Sequence, residues 1–243
     1  MKHLLFGLTI VALMVSLVSC ASKKRSRKEP EIISSSTNSF PQNPSPADTI
    51  SFPRPLHVQA RQGPLRYRNG SYDWIDTAGG PIDLNHVQVL SGVKTDRDLV
   101  VSHSSVAGLR IGGGGMICNS HVEGNAYFGE GGFSHLEAFD TTFYHTVSVN
   151  GNVTGERCHF MDDLEARAQF ISLTSCDTKS IYIYISSPND LPVVQLKANT
   201  IVDGDIVFDT EKGYVVVDET SSVKGFVHGG IVTTEPFPCV SSY

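Results

Sequence analysis

The densest group of ionisable side chains in this 243-residue chain is Asp162, Asp163 and Glu165. Paired carboxylates can work as an acid and base across a glycosidic bond or as hard oxygen ligands for calcium. In a strand, adjacent residues point to opposite faces, so Asp162 and Asp163 cannot serve one site together. The expectation is a solvated face whose charges pair with neighbours, with neither catalytic nor metal-ligating residues. His121, His145 and His159 fall at different places in the repeat described below, whereas a metal needs ligands within a few ångström of one point. Cys118, Cys158, Cys176 and Cys239 lack paired CxxC spacing, so zinc is not expected. Gly112-Gly113-Gly114-Gly115 could cradle phosphate only with Gly-Lys-Ser/Thr and a helix to follow. Met116-Ile117-Cys118 follows instead, and the glycines read as a turn, as do Gly129-Glu130-Gly131-Gly132. No Gly-x-Ser-x-Gly elbow occurs, and no cofactor is implied.

These residues lie in a region of one character. From about Ile82 the chain shows short apolar alternations broken by Gly, Asn, Asp, Ser and Thr, without sustained helical periodicity. A repeat emerges on the anchors Gly108, Gly124, Thr146, Asp163, Ser180, Gly204 and Gly225, spaced about 20 residues apart. Two positions before each anchor stand Val106, Val122, Tyr144, Met161, Thr178, Val202 and Val223, an inward column. Four before stand Ser104, Ser120, Thr142, His159, Cys176, Thr200 and Ser221. The residues one before the anchor end in Asp162, Lys179, Asp203 and Lys224, alternating in sign as in-register stacking favours. The pattern predicts an all-β, single-domain parallel β-helix of about seven coils over residues 82–243. A β-sandwich is the competing fold. Cys158 and Cys176 would be neighbours on adjacent coils, as a buried thiol pair or a disulfide. Stacking at about 4.8 Å is wide for a relaxed bridge near 3.8 Å between Cβ atoms, which favours thiols. Residues 56–81, with Leu65, Tyr67, Tyr72 and Trp74, read as an N-terminal cap.

The region before the body is different again. Met1-Lys2-His3 precedes an uncharged apolar run, Leu4 to Val18, ending in Leu17-Val18-Ser19-Cys20. A basic start, a short apolar core and a small residue at the cut describe a secretory signal peptide over residues 1–19, too short for a comfortable span of roughly 20 residues. Residues 20–55 are rich in Ser, Pro, Asn and Lys and read as a flexible linker. Residues 1–28 hold six basic side chains and no acid; residues 29–243 hold 13 basic against 25 acidic, a net of −12. So acidic a body argues against nucleic acid as a partner. Lys23, Lys24, Arg25, Arg27 and Lys28 either lie against anionic headgroups, at about 1 kcal/mol each, or keep the linker extended.

Leu17-Val18-Ser19-Cys20 resembles the lipobox of bacterial lipoproteins. The resemblance implies cleavage before Cys20, acylation of its sulfur, and a bilayer as partner. Ala21, in place of the Asp that retains lipoproteins at the inner membrane, implies an outer-membrane address in the cell envelope. In the body, Val202-Asp-Gly-Asp-Ile-Val-Phe208 and Ser222-Val-Lys-Gly-Phe-Val227 resemble the hydrophobic-x-Gly-x-hydrophobic repeats of bactofilins, bacterial cytoskeletal β-helices that polymerise. The function expected is a structural, adhesive or scaffold lipoprotein without catalysis, contacting a glycan or an envelope protein. The alternative is a polysaccharide lyase or hydrolase on a β-helix, which requires Tyr144, His145, Asp162, Arg167 and Tyr182 to converge in one groove.

Overall fold

The computed structural model describes residues 56–60, 64–185, 187 and 189–234. Among them are twenty-five strands and no helix, and every strand pairing is parallel. The body is a β-solenoid of about ten coils, each with three arms. The first arm can be followed through its inward residues: Leu65, Ile82, Leu99, Gly115, Leu136, Val153, Ile171, Val194, Val215 and Val232. The second arm stacks Tyr72, Val89, Val106, Val122, Phe143, Phe160, Thr178, Val202 and Val223. The third stacks Val58, Ile75, Val93, Leu109, Ala126, Val147, Leu164, Ile181, Ile206 and Val227. At about 4.8 Å per coil the stack is roughly 45 Å long.

The coil count exceeds seven because the repeat begins earlier than its first anchor, Gly108. Strand Leu65–Thr77 pairs along its length with Ile82–Thr95, and Leu56–Ala60 pairs with Leu65–Thr77. Strands Leu56–Ala60 and Leu65–Thr77 thus carry the same ladder as the coils that follow. Tyr67 and Tyr72 pack edge to face, ring centroids 5.1 Å apart, against the first apolar layers.

Two coils are registered one residue away from the sequence alignment. The inward residues of the second arm are Phe143 and Phe160, fully or almost fully buried, while Tyr144 and Met161 are 47% and 60% exposed. A one-residue slip exchanges the faces of a strand. The cause is where the anchor falls in the corner leading to the third arm: Gly108, Gly124 and Gly204 stand two residues past Val106, Val122 and Val202, whereas Thr146 and Asp163 stand three past Phe143 and Phe160. Counting back the same number of residues from every anchor therefore lands one residue late in these two coils.

The buried columns fill one narrow core whose volume is balanced between layers. Phe143 and Phe160 stack with ring planes 4° apart and centroids at 5.1 Å. Gly155 lies beside them, where an added Cβ would come within 3.0 Å of Leu173. Gly115 occupies a column otherwise held by branched aliphatics because the Phe128 ring fills its space; a Cβ there would fall 2.4 Å from that ring. The run Gly112–Gly114 is a corner between strands Leu109–Ile111 and Gly115–Cys118. Its backbone lies against Asp96 and Asp98 of the coil before, and Gly114 N–H donates to Asp98 at 2.8 Å.

Candidate functional site

The corner between first and second arms is the most regular part of the molecule. From Leu84 to Val89, Val101 to Val106, Ile117 to Val122 and Gly155 to Phe160 the chain advances five residues each time. The turn is made by one residue with positive φ, namely Asn69, His86, His103, Asn119, Asp140, Arg157 and Ser175 in their respective coils, and by two, Ala198 and Asn199, in the longer corner after Leu196. Asn, Asp and His are the side-chain-bearing residues that best tolerate this region. Stacked by the coils, these residues meet. The imidazoles of His86 and His103 lie parallel at 4.8 Å, and Arg157 clasps Asp140 through two hydrogen bonds of 2.6 and 2.8 Å. That clasp, with its side-chain hydrogen bonds, holds the Asp140 carboxyl below its ordinary range.

From His103 onward each turn is followed by a small inward residue, giving the column Ser104, Ser120, Thr141, Cys158, Cys176 and Thr200, and Ser221 continues it by accepting from Thr200 N–H. Ser104 Oγ accepts from Val87 N–H at 3.1 Å, Ser120 Oγ from Ser104 N–H at 3.2 Å, Cys176 Sγ from Cys158 N–H at 3.4 Å, and Thr200 Oγ1 from Cys176 N–H at 3.2 Å. The same side chains donate back to carbonyls of their own coil, as Ser104 does to Ser102 O and Cys158 to Glu156 O. Cys158 and Cys176 are therefore two rungs of a hydrogen-bonded ladder inside the core, buried, as is Cys118, and without a disulfide. The Cys176 sulfur, and then burial, push the Cys158 thiol far up. The alignment had placed Thr142 and His159 in this column; both belong one residue earlier, at Thr141 and Cys158.

The acid cluster is used for stacking. Lys179 Nζ reaches Asp162 at 2.9 Å and lies 3.8 Å from Asp163, while Thr146 donates to Asp162 at 3.2 Å. The Lys179 ammonium is the main reason the Asp162 carboxyl sits below its usual range. Lys224 meets Asp203 at 2.6 Å, so the alternating charges pair two by two. His159 pairs with Asp177 at 2.9 Å. Among the described residues no three His, Cys, Asp or Glu side chains converge to hold a metal ion. Cys20 and Cys239 lie outside the described residues.

The five residues required by a polysaccharide-active site are dispersed. Tyr144 and His145 line a shallow hollow on the second face with Ser105, His121 and Glu123. Asp162 precedes strand Leu164–Ala166 and Arg167 follows it, at opposite ends of the third arm. Tyr182 lies outward in the middle of that arm, one coil further on.

A different concavity is formed by coil length. Between third and first arms the chain advances four residues from Val149 to Val153 and five from Ala166 to Ile171, but eight from Phe128 to Leu136 and eleven from Ile183 to Val194. Two short corners flanked by two long ones make a saddle. It is a cleft of about 330 Å³ whose polar lining is Tyr127, Glu130, Ser148, Asn150, Glu165, Arg167 and Tyr184. Its walls are braced. Asn150 donates to Gly129 O and Gly132 O, both at 3.2 Å, and Arg110 holds Glu130 through 2.7 and 2.9 Å contacts. On the far side Gln169 donates to Asp190 at 3.3 Å, and Asp209 accepts from Ile185 N–H. Of this cleft the sequence singled out Arg167, for a polysaccharide-active groove, Glu165, in the acid cluster, and Gly129 and Glu130, as a turn, but did not bring them to one place; the signal for that was the unequal spacing of the repeat. Compared with protein-family models, with curated proteins and with solved structures, the chain matches none.

Proposed function

We propose that the chain is a bacterial envelope lipoprotein, held in the outer membrane through an acylated Cys20, whose solenoid body acts by contact in a structural or adhesive role. The Leu17-Val18-Ser19-Cys20 segment, with the basic start and apolar run before it, supports the anchor. One observation carries the body's part: Asp162, at the head of the acid cluster, is spent on Lys179 and Thr146. Carboxylates committed to cross-coil pairs stiffen a display surface and are poor acids or bases near neutrality, where a general catalyst needs a pKa close to the working pH. The bilayer is the partner at Cys20, and a glycan or another envelope protein is the partner at the body.

The test is a Cys20→Ala variant in a double-membraned bacterial host, with membrane fractionation and intact-mass analysis. The wild type is expected in the membrane fraction, lacking residues 1–19 and carrying acyl mass; the variant is expected without acyl mass and with its leader uncut. A mature wild-type chain with an unmodified leader overturns the anchor.

A further inference from the structure

We propose that the saddle on the third face binds a carboxylate-bearing oligosaccharide, with Arg167 gripping the carboxylate; this deepens the contact reading above and rests on it. Each end of the saddle carries an exposed tyrosine. Tyr127 and Tyr184 are each 41% exposed, on coils separated by two others. Three coil spacings separate them by about 14 Å along the stack, the reach of a short oligosaccharide, and phenol rings offer apolar faces with a polar tip to sugar rings. Partial burial, then the Glu165 carboxylate, hold the Tyr184 phenol above its ordinary range, so that it stays a neutral hydroxyl.

The floor between these walls is polar. Ser148 and the half-buried Glu165 stand in register on adjacent coils, a hydroxyl and an acceptor for sugar hydroxyls. Arg110 is committed to Glu130. Arg167 is exposed and enters no ion pair among the described residues. A planar guanidinium takes a carboxylate through two parallel hydrogen bonds, and one cation suits a single carboxylate better than a polyanion. A peptide strand fits less well. The floor strands Val147–Val149 and Leu164–Ala166 are paired on both sides, leaving no open ladder for strand addition.

Binding is measured on an array of uronate-containing, sialylated and neutral oligosaccharides, alongside extended peptides, using the detergent-solubilised full-length chain. Arg167→Gln and Tyr184→Ala are expected to weaken binding to carboxylated glycans at least tenfold, Arg167→Lys to lose less, and Tyr144→Ala, on another face, to change nothing. Carboxyl-reduced versions of the bound glycan should bind the wild type as weakly as the native glycan binds Arg167→Gln. Unchanged melting temperatures show that the variants fold. Binding of neutral glycans or peptides only, binding of none, or carboxylated-glycan binding indifferent to Arg167 overturns the proposal. A failed array with Cys20 still acylated removes the ligand alone, whereas a positive array with Cys20 unmodified removes the anchor alone.

Discussion

At the scale of single residues, what separates this core from a purely apolar one is the ladder of small polar side chains behind the left-handed turns from His103 onward. Its members satisfy backbone N–H groups that the tight corner turns inward, and a buried donor left unpaired costs about 1–3 kcal/mol. The two thiols fit because sulfur, like a hydroxyl, both accepts and donates, although weakly. Cys158 N–H relies on the Cys176 sulfur at 3.4 Å. Cys176→Ser should therefore be tolerated within about 1 kcal/mol, because serine holds the same place in other coils. Cys176→Val, close in volume, removes the acceptor and should cost roughly 1–3 kcal/mol. Chemical denaturation of both variants checks this. Equal stabilities would mean that the column is kept for size alone. The ladder was half visible in the sequence as a column of small polar residues. Its purpose was not, because the left-handed turn before it has no single residue type: histidine, asparagine, aspartate, arginine and serine all take that place.

The elements of this fold are arms and corners, and the corners differ in what they permit. The corner between first and second arms is fixed by its hydrogen-bonded column, and length varies mainly where the third arm returns to the first. Near the C-terminal end the fixed corner lengthens to six residues, from Leu196 to Val202 and from Val217 to Val223. There Asp218 takes over the bracing, accepting from Ala198 N–H at 2.6 Å, Thr220 N–H at 3.0 Å and Thr220 Oγ1 at 2.9 Å. Those hydrogen bonds, the one from Ala198 first, hold its carboxyl well below the ordinary range. A carboxyl depressed in the folded state adds stability that is complete above its unfolded value, near 4, and disappears as pH falls through the folded one. The melting temperature should therefore be flat from pH 5 to 8 and fall below about pH 4, with Asp140 and Asp162 contributing in the same direction through Arg157 and Lys179. Asp218→Asn keeps an acceptor but cannot titrate. It should melt lower than wild type at pH 7, and the gap should narrow as acid removes the wild type's advantage. A gap independent of pH would refute the role of the charge. Corners were also where sequence reading failed. Arms announce themselves by alternation, but nothing marks which residue of a corner holds the anchor's place: Thr146 and Asp163 lie one residue further along than Gly124 or Gly204, and that one residue turned Phe143 and Phe160 inward in place of Tyr144 and Met161.

At the scale of the whole body, each coil touches only the coils beside it, so stability is a sum of neighbouring interfaces. The middle of the stack is sealed: Leu136, Val153 and Ile171 are at most 1% exposed. Among the described residues the last coil pairs with a neighbour on one side only. Val232 stands in the same inward column yet is 53% exposed, with Ile231 at 62% and Phe226 at 74% beside it. Apolar burial is worth roughly 25 cal/mol per Å², so a coil missing half its interface has far less holding it than one in the middle. Local opening should follow this gradient, with free energies ranging from near zero at a frayed end to the global value in the core. Hydrogen exchange by mass spectrometry should find the amides of residues 134–174 protected at least a hundredfold more than those of 227–233, with residues 193–217 between. A single rate throughout would mean that the coils open together, and the nearest-neighbour account would fail. The gradient also separates two uses of the molecule. The saddle between Tyr127 and Tyr184 lies over the well-covered coils, where its walls are held for a ligand, while the exposed last coil is the place at which the body first loosens.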